Sequence, residues 1–482
     1  MKPITAFCTI GVLVMSGFSG AVLATELGAD SPPAPSHSPT DLPTMERAPR
    51  ENDDDWLVGG FDRSSRWITG GLAAGLGLYW VVSDEDAIRD LGDVTQFVPL
   101  GFALGANLYT NDRQGLKQLG YASGTAFLAT HGLKAFVDKS RPDDSADNSF
   151  PSGHTSASVT GAAYLWRRYG SKWGAPASIL AAYTGLSRVK GQKHYLDDVI
   201  SGAALGLISN WLWTDPIDER VNWSLFALED GAALEVTYTR AEQSRVKLNR
   251  KPEGNLPGKF FQWEISRANV RVNDARSPNP GGELVDWRFD RDNNPIATAS
   301  VAWGWVKTGS PHGFYLGLAP FEVREDHTPS ESLDFAGQTF PAEEPLRSSY
   351  IAYDYRFGYG YSAIQTERFS LTLGAALAVY DTELELTGSE QEAHIAERAI
   401  RPTLGMRVHF SIARNWLVFA NFAGWSDSEY EIRDLTAQLA YRIDDSWALS
   451  LGYRRVDREV NTSKIYNRHE RDQLALGVWY FW

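Results

Sequence analysis

The sequence predicts an α + β protein of two domains, in which a bundle of about six helices precedes an antiparallel β-barrel of about 10–12 strands. Two observations lead to this fold class. Apolar stretches of helical length follow one another between Trp56 and Trp213, and after about Pro216 the pattern changes to strict alternation. Helical spacing predicts packed helices, whereas a period of two predicts strands whose two faces meet different surroundings.

The amino-acid composition of the chain disfavours or excludes several classes of protein. The chain has 482 residues and a formal net charge of −14, which disfavours a nucleic-acid-binding protein because such proteins present a basic surface. Hydrophobic residues make up 43% of the chain, enough for a large core, so a disordered chain is excluded. The only cysteine, Cys8, lies in the segment described next, which leaves the rest of the chain without disulfides or thiolate chemistry.

Residues 1–24 are predicted to be a signal peptide. Lys2 supplies a positive start, and the uncharged apolar run from Ile4 to Ala24 ends in small residues. A retained membrane anchor is the alternative, because the run is close to the roughly 20 residues that a spanning helix needs. Residues 25–55 are rich in Pro, Ser and acidic residues and are predicted to form a solvated linker.

The helical domain is expected over residues 56–215. Six stretches have the length and apolar character of helices: 67–83, 95–111, 118–137, 155–168, 173–187 and 195–213. Most are a little short for a bilayer, and their many Gly, Ala and Ser residues suit close helix packing in either solvent. Contact with a membrane is therefore left open.

The barrel is expected over residues 216–482. In 351–361, large apolar or aromatic residues occupy every second position. The connections also alternate in length, as in up-and-down outer-membrane barrels. Short ones are expected near 307–312, 362–367, 412–415 and 442–446, and longer ones near 325–345, 382–398, 425–432 and 457–470.

The last strand has a face of apolar residues that ends on Trp482, and it resembles the closing strand of bacterial outer-membrane β-barrels. From Phe260 onward there are about ten candidate strands, and a hairpin around Asp230-Gly231 would add two. A soluble β domain is the alternative, since sandwiches also alternate.

Three segments of the helical domain concentrate cations, histidine, serine and aspartate. They run from Lys134 to Pro142, from Pro151 to His154 and from Ser187 to Asp198. Lysine and arginine side chains at Lys134, Arg141 and Arg188 bind phosphate oxygens well, arginine in bidentate fashion, so an anion site is predicted.

The other polar residues of these segments fit the same site. Ser152 and Gly153 precede a predicted helix, whose free N–H groups and positive dipole end favour an anion. His194 and Asp198 are four residues apart, so in a helix they share a face and the carboxylate can fix the imidazole tautomer. This set of residues requires no metal and no cofactor.

The spacings KxxxxxxRP, PSGH and SRxxxxxHxxxD resemble the type 2 phosphatidic acid phosphatase family, which includes lipid phosphate phosphatases, bacterial acid phosphatases and vanadium haloperoxidases. The resemblance covers roughly residues 60–215. It implies that His194 is the nucleophile of a phosphohistidine intermediate, oriented by Asp198, and that His154 protonates the leaving oxygen and later activates water. The phosphate-binding residues that it implies are Lys134, Arg141, Ser152, Gly153 and Arg188.

Other polar residues receive plainer interpretations. Asp197 is expected to be solvated or a partner of the site. Lys139, Lys190 and Lys193 are expected to be surface lysines, and the alternative is that they add positive potential near the site. His409 and Ser411 resemble the His-x-Ser pair of outer-membrane lipid A deacylases, but alternation points them toward the barrel lumen, where polar lining is expected.

The expected protein is an exported, metal-independent phosphatase that hydrolyses phosphate monoesters or pyrophosphates on a phosphorylated lipid or a soluble phosphate ester. Its barrel would sit among outer-membrane lipids. An even number of strands would place the start of the first strand and the end of the last strand in the periplasm, together with the catalytic domain. The alternatives are a vanadium-dependent haloperoxidase, a pore or adhesin with an inactive phosphatase-like domain, and an inner-membrane phosphatase with a soluble β appendage.

Overall fold

A computed structural model describes residues 62–216, 221–228, 231–238, 259–277, 284–287, 296–306, 310–366, 368–413 and 415–482. The predicted signal peptide, residues 1–24, and the predicted linker, residues 25–55, lie outside these described residues.

The helical body comprises residues 62–216. Its helices are α1 (Arg63–Val82), α2 (Glu85–Thr95), α3 (Val98–Tyr109), α4 (Arg113–Phe136), α5 (Gly153–Tyr169), α6 (Ser171–Lys190) and α7 (Leu196–Trp213). Each of the six predicted stretches lies largely within one helix, and α2 is an addition. Side-chain caps fix several starts: Asp62 for α1, Asp84 for α2, Asp112 for α4 and Ser152 for α5. Among the described residues, no helix is both long and apolar enough to cross a membrane.

Ten long strands form a closed antiparallel barrel, in agreement with the predicted fold class. They are β3 (Lys259–Arg276), β5 (Ile296–Val306), β6 (His312–His327), β9 (Leu346–Gln365), β10 (Phe369–Thr387), β11 (Glu392–Ala413), β12 (Trp416–Ser426), β13 (Tyr430–Arg442), β14 (Trp447–Asn461) and β15 (Tyr466–Phe481). Pairing of β15 with β3 closes the barrel.

Short strands complete the sheet structure. The expected hairpin around Asp230-Gly231 exists as β1 (Val221–Leu228) and β2 (Gly231–Tyr238), but it forms a separate two-stranded sheet and adds nothing to the barrel. Strand β4 (Leu284–Asp286) pairs with β3, and β7 (Leu333–Phe335) pairs with β8 (Gln338–Phe340).

Three of the four expected long loops are mostly strand. Strand β10 continues to Thr387 and β11 begins at Glu392, so the segment 382–398 contains only a short tip. Polar residues there do not end the strands, because they pair across them: Arg398 donates to Asp381 at 2.6 Å, and His394 lies 2.7 Å from Glu383. The segments 425–432 and 457–470 behave in the same way.

The helical body lies beside the barrel. The outer wall is defined here as the outward-facing side chains of β3, β5, β6, β9 and β15. One cluster joins α7 to this wall: Leu196, Ile200, Ala204, Leu205, Phe261, Trp263, Val301, Ile351 and Tyr353. Near the other end of α7, the Trp211 ring stacks on Tyr480 at 4.5 Å. Helix α7 therefore runs along the strands. Its first residue lies toward the end of β6 that precedes β7 and β8, which is the end of the barrel opposite the short turns.

The barrel interior holds both ion pairs and apolar residues. Asp434 accepts from Arg356 at 2.9 Å and from Arg454 at 2.7 Å. Toward the end that carries β7 and β8, inward-facing residues such as Tyr380 and Leu384 pack with Phe335 and other buried side chains. His409 and Ser411 are buried, while their neighbour Phe410 is 45% exposed, as the alternation predicts.

Candidate functional site

Four structural elements bring the predicted site residues into one region. Lys134 lies in the last turn of α4, and His154 lies in the first turn of α5. Arg188 lies in the last turn of α6, and Asp198 lies in the first turn of α7. The segment between α4 and α5 adds Arg141. Although they are separated by up to sixty-odd residues, Lys134, Arg141 and Asp198 act electrostatically on His194, and Arg188 and His194 act on His154.

His194 lies at the centre of this region and is only 3% exposed. Its Nδ1 atom is 3.7 Å from Asp198 Oδ2 and 3.4 Å from the Ser149 hydroxyl, which donates to Asp198 at 2.5 Å. Burial lowers the pKa of His194, although the Asp198 carboxylate opposes the shift. The imidazole is therefore neutral at neutral pH and has an acceptor beside Nδ1.

The local structure at His194 differs from the prediction. The residue precedes α7, whose N-cap is Tyr195, so the four-residue separation from Asp198 is not spanned by one helix. Instead Asp198 turns back and accepts the Tyr195 backbone N–H at 2.9 Å, as a helix-capping carboxylate does. The cap, rather than a shared helical face, brings the carboxylate to the imidazole.

Lys139 is not the surface lysine that was expected. Its side chain is only 10% exposed, and its Nζ atom donates to Asp197 at 2.7 Å and to Asp198 at 2.9 Å. Burial raises the pKa of Asp197 to about 7, so this residue is not solvated either. Burial also opposes ionisation of Asp198, but the nearby Lys139 ammonium holds the pKa of that carboxyl well below its usual range.

Two predicted phosphate ligands meet at Asn148. Lys134 donates to the Asn148 carbonyl oxygen, and Arg141 donates to the Asn148 side chain at 3.1 Å. The Arg141 Nε atom is buried and has no hydrogen-bond partner among the described residues. Burial lowers the pKa of Lys134 to about 8. An anion placed here would receive a hydrogen bond that the protein leaves unmade.

Arg188 and His154 both contact Asp93, a carboxylate on α2. His154 Nε2 lies 3.0 Å from Asp93 Oδ1, and Arg188 donates to the same oxygen. Burial and the Arg188 charge lower the pKa of His154 to about 4, while Asp93 acts in the opposite direction. The nearby His194 imidazole also lowers the pKa of His154 electrostatically. The Asp93 carboxylate therefore offsets part of the effect of burial and of the Arg188 charge, both of which disfavour protonation of His154.

Ser152 and Gly153 form the N-terminus of α5. The Ser152 hydroxyl accepts the Thr155 hydroxyl at 3.0 Å and caps the helix, so its oxygen is engaged within the protein. A Cβ atom at Gly153 would meet only the Thr130 methyl at 3.9 Å, which leaves the backbone there open to a ligand. Of this pair, the Gly153 backbone is the better placed for an anion.

Sequence reasoning missed Asp93, Asn148 and Ser149 and misread Lys139. Asn148 and Ser149 lie in the short segment between the first two motifs, and polar residues flanking such motifs are the signal that points to them. Asp93 lies well before the motifs, and nothing in its spacing marks it. Lys190 and Lys193 behave as expected and form ion pairs at the surface with Glu85 and Asp143.

A cavity of about 130 Å³ lies between the helical body and the outer wall of the barrel. His194 and Leu196 line it from one side, and Arg324 and Tyr353 line it from the other. The barrel thus contributes surface next to the predicted nucleophile.

The comparisons with known proteins agree with the motifs. The model of the PAP2 superfamily matches residues 115–220, which confirms the predicted resemblance for this part of the chain. A lipid A 1-phosphatase of Porphyromonas gingivalis is 35% identical over 122 residues, covering 23% of this chain and 27% of that protein. A lipid A 4'-phosphatase of Helicobacter pylori is 26% identical over 150 residues, covering 29% and 75%.

This chain thus spans about a quarter of the first relative's length. Both relatives are phosphatases by name, in agreement with the predicted enzyme class. Among solved structures, similarity is found to the outer membrane protease OmpT of Escherichia coli (10% identity, 46% of this chain and 96% of that chain, TM-score 0.33). It is also found to Aquifex aeolicus LpxE (20% identity, 31% and 91%, TM-score 0.24).

Proposed function

We propose that the region matched by the PAP2 superfamily model is a metal-independent phosphatase that hydrolyses phosphate monoesters or pyrophosphates through a phosphohistidine at His194. One observation carries the proposal: a buried, neutral imidazole has a carboxylate beside Nδ1, and the cations Lys134 and Arg141 act on it electrostatically. This combination favours attack by the other ring nitrogen on an anion held by the cations.

In the first step, His194 Nε2 forms a bond to phosphorus and the bond from phosphorus to the leaving oxygen breaks. Protonated His154 gives its proton to that oxygen. The Nδ1 proton of His194 is shared with Asp198 and Ser149, which stabilises the positive imidazole that forms. Lys134, Arg141 and Arg188 stabilise the charge on the remaining phosphate oxygens.

In the second step, water attacks phosphorus and the bond to His194 breaks. His154, left neutral by the first step, accepts the water proton and is ready for another cycle. The depressed pKa of His154 suits this role as a base. A bound phosphate would act with Asp93 to raise that pKa, which suits the acid role in the first step.

The substrate that we propose is a phosphorylated lipid, and a soluble phosphate ester is the competing substrate class. The names of both curated relatives, which act on lipid A, support the lipid. The test is phosphate release by the purified chain from a panel of lipid and soluble phosphates, with His194→Ala in parallel. Release from lipid phosphates by the wild type alone is expected. Equal release by His194→Ala would refute the histidine mechanism, and preference for soluble esters would refute the lipid.

The rival haloperoxidase is tested in the same preparation. Vanadate should inhibit phosphate release without producing halide oxidation, because it would occupy the phosphate site as a substrate mimic. Halide oxidation in the presence of vanadate and peroxide, without phosphatase activity, would favour the haloperoxidase instead. A chain with neither activity would favour the pore or adhesin.

We propose that the barrel is inserted in an outer membrane. Its outward-facing apolar residues are exposed in a way that a soluble β domain would not tolerate. Those that are more than two-fifths exposed include Leu373, Leu377, Leu404, Met406, Leu435, Leu439, Leu449, Leu451, Leu474 and Leu476. Sucrose-gradient fractionation separates this proposal from an inner-membrane location.

The periplasmic position of the catalytic domain stays a prediction, and one observation bears against it. His194 lies just before the N-terminus of α7, at the end of the barrel opposite the short turns. In bacterial outer-membrane barrels the short turns face the periplasm. Cys8 is the only cysteine in the sequence, so cysteines introduced singly can be labelled selectively. Ser145→Cys reports on which side of the membrane the predicted site lies, and Asp445→Cys reports on which side the short turns lie. A membrane-impermeant maleimide that labels only the 145 variant in intact cells would refute the periplasmic position.

A further inference from the structure

Two charged side chains of the barrel's outer wall reach the segments that carry the predicted catalytic residues. We infer that Arg324 and Glu322 on β6 are positioning residues for the phosphatase site, so that the barrel sets the geometry of His194 as well as anchoring the chain. This inference depends on the proposed function, but the contacts of Arg324 and Glu322 that support it are separate from those of the catalytic residues.

Arg324 connects the first and third motif segments. Its Nη1 atom donates to the Pro142 carbonyl oxygen at 3.1 Å and to Gln192 Oε1 at 2.9 Å. Pro142 directly follows Arg141, and Gln192 lies two residues before His194. One guanidinium thus fixes the distance between a predicted phosphate ligand and the predicted nucleophile.

Gln192 needs such support because its backbone is in the left-handed region, with φ of 54°. This conformation is uncommon for residues other than glycine and persists where surrounding contacts hold it. The Arg324 guanidinium also lies 5.9 Å from the centre of the Tyr195 ring, on the other side of His194. The turn that presents His194 is therefore held on both sides by one barrel residue.

Glu322 acts on the start of α7. Its carboxyl group lies near enough to the Leu196 backbone N–H for that group to favour the ionised form, and the Tyr353 hydroxyl donates to it. Leu196 is the first residue of α7, so a barrel carboxyl group lies beside the N-terminus of the helix that carries Asp198, where the free N–H groups and the positive end of the helix dipole favour its oxygens. Glu322 is only 8% exposed, which makes the contact costly to lose.

Arg347 provides the matched comparison on the same wall. It pairs with Asp144 and Asp326, and its side chain is 41% exposed. Asp144 is two residues beyond Pro142; its backbone N–H donates to the Arg141 carbonyl oxygen at 3.0 Å, but its side chain pairs with Arg347 and with none of His154, His194 and Asp198 in the described part of the chain. Removing this exposed ion pair should cost little, since solvent screening makes the net contribution of such pairs small.

The test compares Arg324→Ala, Arg324→Lys, Glu322→Ala and Arg347→Ala in the full chain, with lipid phosphate as substrate. Arg324→Ala is expected to lower kcat about 10- to 100-fold, because small misplacements of reacting groups cost that much. Arg324→Lys should recover part of the loss, since it keeps a cation and a donor. Arg347→Ala should remain within about twofold of the wild type.

A second measurement does not depend on turnover. Hydrogen exchange of backbone amides in the segment 190–198 should become faster in Arg324→Ala and Glu322→Ala and stay unchanged in Arg347→Ala. Exchange in the barrel strands, followed in the same samples, checks that each variant is folded.

The outcomes separate this inference from the proposed function. Normal kcat in Arg324→Ala, with or without faster exchange, overturns the positioning role while leaving the phosphatase intact. A wild type without phosphatase activity refutes the proposed function, and faster exchange in the two variants would then still support the contact of the barrel with the turn. Equal losses in Arg324→Ala and Arg347→Ala would also overturn the inference, because a general weakening of the interface would explain both.

Discussion

Both domains bury histidines, and the surroundings of those rings differ. His194 in the helical body has a carboxylate and a hydroxyl beside Nδ1 and cations nearby. In the barrel, His409 stacks on Phe419 at 5.1 Å, and His469 stacks on Tyr350 at 4.9 Å. Burial of a histidine alone therefore does not indicate a catalytic role. An imidazole that has an acceptor at one nitrogen and an anion site beside the other can act as a nucleophile.

The largest expected effect tests this contrast directly. His194→Ala should lower kcat at least about a thousandfold, because it removes the proposed nucleophile. His409→Ala is the control in the barrel and should keep phosphatase activity within about twofold, even if it lowers thermal stability through the lost ring contact. Phosphate release and thermal unfolding are measured for both variants. Loss of activity in the His409 variant alone would reverse the assignment.

The second contrast concerns buried ion pairs. Lys139→Met would leave the buried Asp197 and Asp198 without their shared cation, and removal of one member of a buried pair costs about 3–5 kcal/mol. Lys190→Met is the control, since its partner Glu85 is 47% exposed and the loss should stay below about 1 kcal/mol. Denaturant unfolding gives both free energies. Similar small losses in the two variants would contradict the structural role of Lys139.

These contrasts also show what the sequence could predict. The motifs predicted which residues meet, because the spacings of Lys134, Arg141, His154 and His194 match a pattern of residues that act together. They did not predict how the residues meet, since the capping turn at Asp198 and the burial of Lys139 depend on contacts between segments that are distant in sequence. The burial of Lys139 by Asp197 and Asp198 across nearly sixty residues leaves no local signal.

For the barrel, alternation predicted the strands but placed their ends too early. Outward-facing charged residues such as Asp381 and Arg398 look like loop residues in a sequence, yet they pair across neighbouring strands. The packing of α7 on the outer wall could not be predicted at all, because its apolar partners on the wall have the same pattern as residues that face lipid.

The third prediction concerns His154, the proposed acid and base of the site, and its neighbour Asp93. Asp93→Asn removes the carboxylate that raises the pKa of His154, so this already low pKa, about 4, should fall further. A group that must be protonated loses activity as the pH rises through its pKa, and the descending limb of kcat/KM should therefore move to lower pH by about one unit. At a fixed pH above that limb, the rate should fall about tenfold.

The pH profile of kcat/KM checks this prediction, with Asp90→Asn as the control. Asp90 lies on the same helix, and its side chain is 68% exposed and pairs with Arg89, so its removal should leave the profile unchanged. A shift of the limb to higher pH in Asp93→Asn would show that Asp93 does not support the proton on His154.

The smallest expected effect concerns the cation at Lys134. Burial, only partly opposed by Asp198, lowers the pKa of this lysine to about 8, so its charge is present below that pH and is lost above it. Competitive inhibition by inorganic phosphate should therefore weaken in the wild type between about pH 7 and pH 9, relative to Lys134→Arg, which stays charged. The ratio of the two inhibition constants cancels the titration of phosphate itself and should change a few-fold. Lys117→Arg, an exchange at an exposed position of α4, should give a ratio independent of pH, and a flat ratio for Lys134→Arg as well would mean that this lysine does not bind the phosphate.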